Sequence, residues 1–131
     1  MALVVDASAL AFALLGRTPR AEVLRARLRS EDCHAPHLID AEMGNVLRRR
    51  TLRGEISALD AEELLLAAPA LIDHRYEMTD GLARAAWKRR ENVTFYDALY
   101  AALADALSLP LLTADARLRT APSLGCAVEE V

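Results

Sequence analysis

Four carboxylates stand where an acid is costly unless something compensates it. Asp6 closes the apolar run Leu3-Val4-Val5, and Asp115 follows Leu111-Leu112-Thr113-Ala114. Glu42 and Asp97 sit inside helical patterns, Asp97 between Phe95-Tyr96 and Ala98-Leu99. Leaving water without a cation or hydrogen bonds disfavours the charged form, and carboxylates gathered together also repel one another. A bound divalent cation reverses both effects. An all-oxygen donor set suits Mg²⁺ or Mn²⁺, which lowers the pKa of bound water, orients a scissile phosphate and stabilises a leaving oxygen. Ser8 and Thr113 place hydroxyls beside two of the acids.

Each acid also has a plainer role. Asp6 and Asp115 can cap the helical turns that follow them, Asp97 can complement a helix dipole, and Glu42 alone reads equally as a solvated helix residue. The joint pattern favours the metal site. Asn45, one turn after Glu42, either orients that carboxylate or is a structural amide. Tyr100 reads as core packing and stands outside the catalytic set.

The elements that must position these acids alternate between strand and helix. Residues 3–5 read as a buried strand, with Asp6 or Ser8 capping a helix over 9–15. A helix over 19–29 follows, then an extended stretch near 34–36 and a helix from 38 to about 53 that buries Ile39, Met43, Val46 and Leu47. Ser57 opens a helix to about residue 68, and 71–77 holds a short extended segment. Helices over 79–90 and 96–107, a strand at 111–113, a turn or short helix after Asp115 and a last strand at 126–128 complete the chain. Such alternation implies a parallel sheet in a single three-layer α/β/α sandwich. No linker or repeat divides the 131 residues, so one domain spanning 1–131 is expected.

A hydrophobic content of 53% is enough for a core, and a net charge of −3 gives no global basic field. Arg48-Arg49-Arg50 with Arg53, and Lys88-Arg89-Arg90, form local basic clusters suited to phosphate contacts, although a solvated helix face explains them as well. Arg48, Arg49 and Arg53 are the candidate nucleic-acid contacts. Cys33 and Cys126 read as small core residues. His34 and His37 with Asp40 invite a transition-metal reading, but they straddle an expected loop and lack helical His-Glu-x-x-His spacing, which argues against zinc. The leucines between 59 and 71 suit a partner groove or dimer face, with ordinary core preferred. No signal peptide or membrane span is legible, so a soluble, cytoplasmic protein is expected.

Val4-Val5-Asp6-Ala7-Ser8-Ala9-Leu10, Glu42-Met43-Gly44-Asn45-Val46-Leu47, Asp97-Ala98-Leu99-Tyr100-Ala101-Ala102-Leu103-Ala104 and Leu111-Leu112-Thr113-Ala114-Asp115 resemble, in order, the four motifs of PIN-domain ribonucleases, in particular the toxins of VapBC toxin–antitoxin modules. The resemblance implies Mg²⁺- or Mn²⁺-dependent RNA cleavage. Asp6, Glu42, Asp97 and Asp115 would be metal ligands, Thr113 and Ser8 near-site hydroxyls, and Asn45 a support for Glu42. It further implies a homodimer and a VapB-like antitoxin lying over the site. Two other readings stay open: an RNA-processing or structure-specific DNA nuclease without an antitoxin, and a non-catalytic domain that binds RNA or a partner.

Overall fold

The computed structural model describes residues 1–131. Five parallel strands form one sheet: β1 (Ala2–Val5), β2 (Asp32–Pro36), β3 (His74–Tyr76), β4 (Leu111–Thr113) and β5 (Val128–Glu130), in the order β3-β2-β1-β4-β5. Between them run α1 (Ala7–Leu15), α2 (Pro19–Ser30), α3 (Leu38–Leu52), α4 (Ala58–Ala67), α5 (Asp80–Trp87), α6 (Phe95–Leu107) and α7 (Ala116–Thr120). The expected α/β/α sandwich is the one observed. Crossovers from β1 to β3 step one way across the sheet and the return to β4 steps the other way, so their helices cover opposite faces. Cys33 accordingly meets the α2 carbonyl of Leu28, whereas Tyr76 lies with Leu103 and Leu107 of α6.

Local chemistry sets most boundaries. Asp6, Thr18, Ser57 and Thr94 each accept a backbone N–H and cap α1, α2, α4 and α6. The fully buried Leu3, Val4, Val5, Leu111 and Leu112 make β1 and β4 the centre of the core. Both are covered on two faces, which is why they read as continuous apolar runs. No helix is long and apolar enough to cross a membrane.

Four expectations shift. α5 stops at Trp87 instead of reaching Arg90, and β5 begins at Val128, two residues later than the cysteine-led run suggests. His34 lies within β2, as the extended stretch near 34–36 implies, and not in the loop assumed for the His34–His37 pair. The leucines of α4 are not core: Ala61 is the buried residue of that helix, while Leu59 is 65% and Leu66 75% exposed. An apolar face was legible there, but only the tertiary arrangement leaves it without a covering layer.

Candidate active site

The order of the strands reverses between β1 and β4, and the carboxyl ends of these two strands open a crevice at that switch point. Asp6 leaves β1 there, and Thr113-Ala114-Asp115 leaves β4. Asp6 is 4% exposed. Its Oδ1 accepts from Ser8 Oγ at 2.6 Å and from the Ala9 amide at 2.9 Å, and its Oδ2 accepts from Thr113 Oγ1 at 2.5 Å. Ser8 Oγ also accepts from the Ala114 amide at 2.9 Å, and Thr113 Oγ1 accepts from the Asp115 amide at 3.0 Å. Ser8 and Thr113 thus join the two loops around one carboxylate, as their positions beside the acids suggest.

The helices supply the other two acids. Glu42 projects from α3 and Asp97 from the first turn of α6, both partly buried. Asp97 bears electrostatically on Asp6, both of them on Glu42, and Asp115 on Asp97, so the four acids form a chain of neighbours around the carboxyl ends of β1 and β4. Burial, the largest influence, pushes Asp6, Glu42 and Asp97 above their ordinary values, and neighbouring carboxylates add to the rise. Hydrogen bonds from Ser8, Thr113 and Ala9 oppose it at Asp6, as the bond from Tyr100 does at Glu42. No cationic side chain offsets Asp6 or Glu42.

Asp115 behaves differently. It caps α7 through the Arg117 amide, and the Arg117 guanidinium grips its carboxylate at 2.7 and 3.0 Å, holding it below the usual range. Arg117 was not among the sequence candidates. An arginine two residues after an acid is a common pattern, and only the α7 turn folds it back onto Asp115.

Glu42 receives its hydrogen bond from Tyr100, at 2.6 Å from the phenol oxygen to Oε1. Tyr100 is fully buried, so it is core as expected and also a positioning residue. Its spacing of one helical turn from Asp97 was visible, but its partner lies 58 residues away. Asn45 lies exposed on α3 and makes no hydrogen bond with Glu42. Arg48, Arg49 and Arg53 are exposed along the last turns of α3 and its carboxyl cap. Of the second basic cluster, Arg89 is buried and structural, whereas Arg90 stacks over Trp87.

Removing the Tyr100 hydroxyl tests the positioning role. Tyr100→Phe is expected to weaken binding of a divalent cation in the crevice about tenfold. Stability should fall by only about 1 kcal/mol. A divalent-cation titration beside a melting curve separates this from general loosening, which would lower stability and leave the binding midpoint in place.

A family model for the PIN domain matches residues 3–124. Ribonuclease VapC1 of Mycobacterium tuberculosis is 52% identical over 128 residues, covering 98% of this chain and 96% of that protein. The chain belongs to the PIN-domain family. Ribonuclease VapC9 of the same organism is 38% identical over 129 residues, covering 98% of this chain and 98% of that protein. Among solved structures, VapBC2 from Rickettsia felis bound to a DNA fragment from their promoter shares the PIN fold with a TM-score of 0.73 at 11% identity, over 100% of this chain and 99% of that one. DNA-bound VapBC from Salmonella typhimurium gives 0.74 at 12% identity, over 99% and 98%. At such identities the likeness is one of PIN fold alone.

Proposed function

We propose that this protein is a metal-dependent endoribonuclease and the toxin of a type II toxin–antitoxin module, with residues 1–131 forming one PIN nuclease domain. The observation that carries the reading is the gathering of four carboxylates at the sheet's switch point, with Asp6 buried and no cationic side chain set against it. The 52% identity to a ribonuclease over nearly the whole chain supports the same activity here.

The donor set fits a hard divalent cation: every candidate ligand atom is a carboxylate oxygen, and burial leaves three of the four acids in want of positive charge. Asp6, Glu42, Asp97 and Asp115 would hold Mg²⁺ or Mn²⁺, which when bound supplies an activated water and charge neutralisation at the phosphate. The chain's own residues do the rest. Ser8 and Thr113 lock the Asp6 carboxylate in one orientation, and Tyr100 does so for Glu42. Arg117 at the rim of Asp115, with Arg48, Arg49 and Arg53 on α3, offers guanidinium groups to the RNA backbone. Phe95 and Tyr96, exposed beside Asp97, present rings on which unstacked bases of a single-stranded loop can rest.

The exposed leucines of α4 and the groove they share with α3, lined by Leu47, Leu52 and Leu65, provide an apolar seat for a VapB-like antitoxin. Structures of VapBC complexes with the same fold support that partner, and a homodimer and a cytoplasmic setting complete the proposal.

Cleavage of total cellular RNA by the purified, antitoxin-free protein with Mg²⁺ or Mn²⁺ tests the activity. Discrete fragments that disappear with EDTA are expected. Fragments that persist in EDTA would refute metal-dependent chemistry, and equal cleavage of matched RNA and DNA would redirect the reading to a general nuclease.

A further inference from the structure

The first half of β2 and the start of β3 carry a second cluster of ligating side chains, toward the β3 edge of the sheet and away from the crevice between β1 and β4, with His34 in register with Val4 of β1. His34 and His74 are register partners on the two parallel strands, and Asp32 lies two residues before His34 on the same face. The imidazoles stack with centroids 4.5 Å apart. Both Nε2 atoms turn to one carboxylate: His34 Nε2 lies 3.0 Å from Asp32 Oδ2, and His74 Nε2 lies 3.0 Å from Oδ1. One ligand atom from each of the three residues lies within 4.8 Å of the others.

We propose that Asp32, His34 and His74 form a binding site for a transition-metal dication of the zinc class, distinct from the four-carboxylate crevice. Two imidazole nitrogens and a carboxylate oxygen make up the ligand set of open zinc sites. Ligand atoms about 2.0–2.1 Å from such an ion sit about 3.3 Å apart at tetrahedral angles, close to the 3.0 Å between each imidazole and its nearer Asp32 oxygen, and one atom from each residue already lies within 4.8 Å of the others. The outer shell is in place as well. Tyr76 Oη lies 2.8 Å from His34 Nδ1, which fixes the ring and leaves Nε2 as its ligating atom. The side chain of His34 is 12% exposed while those of His74 and Asp32 are each 49% exposed, so the rigid ligand is on the inside and the fourth position faces solvent. The ion would clip the three-residue strand β3, at the sheet edge, to β2.

The zinc set considered from the sequence differs because Asp40 is taken by Arg75, at 2.7 and 2.9 Å, and His37 lies exposed at the start of α3. His74, the partner His34 does have, is 40 residues away in sequence.

The test is Zn²⁺ titration by calorimetry of the full, tag-free chain in millimolar Mg²⁺, with melting curves and Co²⁺ absorption as second readouts. One Zn²⁺ per chain with micromolar or tighter affinity, an upward melting shift and four- or five-coordinate Co²⁺ bands are expected. His74→Ala, at a half-exposed position, should remove all three and leave Mg²⁺-dependent RNA cleavage intact. Tyr76→Phe should weaken Zn²⁺ about tenfold. Unchanged Zn²⁺ affinity and stoichiometry in folded His74→Ala, or no binding by the parent chain in the micromolar range, would overturn the site and leave Asp32 as a plain hydrogen-bond bridge between two histidines.

Discussion

Replacing Asp6 with Asn is expected to abolish RNA cleavage and, in the absence of divalent ions, to make the protein more stable near neutral pH. The two effects share one cause. Asp6 is buried with its charge offset only by hydrogen bonds, so its folded-state pKa lies above that of the unfolded chain. The folded state therefore holds the proton more tightly. Its stabilising contribution is complete below the ordinary carboxylate value of 3.8 and is lost as pH rises through the raised folded value. Glu42 and Asp97 shift in the same direction and add to the loss, while Asp115, held low by Arg117, acts in the opposite sense.

Asparagine removes this liability without breaking the network. Its carbonyl can accept from Ser8 and Ala9, its amide can donate to Thr113 Oγ1, and the Thr113 hydroxyl can turn to Ser8 Oγ, 3.2 Å away. Activity in Mg²⁺ should drop at least about a hundredfold, the loss expected on removing a charged ligand of the proposed cation site. Ion-free denaturation from about pH 4 to about pH 7 should show the parent chain losing stability relative to Asp6→Asn. Added Mg²⁺ should stabilise the parent more than the variant. Full cleavage by Asp6→Asn, or parallel pH profiles for the two proteins, would remove Asp6 from the site.

Arg89→Met should give the largest loss of stability among the arginine substitutions. Arg89 is 8% exposed and spends its guanidinium on three acceptors: the carbonyls of Leu124 and Ala85, each at 2.7 Å, and Asp105 Oδ2 at 2.7 Å. It joins the end of α5 to α6 and to the loop before β5. Because Asp105 is half exposed, the ion pair itself is partly screened, and the two stranded carbonyls dominate the cost. A loss of about 2–4 kcal/mol is expected, seen as a fall of about 10 °C in the melting temperature. Arg89→Lys should recover little, since one ammonium cannot reach all three acceptors. Lys88→Ala and Arg90→Ala, both exposed, should stay within about 0.5 kcal/mol of the parent. Gly125 belongs to the same arrangement: at φ +80° it takes a left-handed turn, and a Cβ there would sit 2.9 Å from both Arg89 Nη2 and Asp105 Oδ2. Melting of Arg89→Met within a degree or two of the parent would show that the three contacts contribute nothing.

What the sequence determined by itself was everything carried by neighbours along the chain. Asp6, Thr18, Ser57 and Thr94 cap helices through amides three residues on, and doubly buried β1 and β4 need unbroken apolar runs, so the alternating elements and the order of the acids were legible. From the alternation alone a parallel sheet followed, and a parallel sheet brings strand ends together. The tertiary structure decided which distant side chains meet. Tyr100 reaches Glu42 across 58 residues, His34 finds His74 across 40, and Arg89 is buried although Lys88 and Arg90 beside it are not. It also left the apolar face of α4 open, because a hydrophobic stripe states a preference for burial but cannot say whether another layer covers it. Hydrogen bonds and ligand sets depend on separations of about 3 Å in space, and those are fixed only when the sheet order and helix crossovers are.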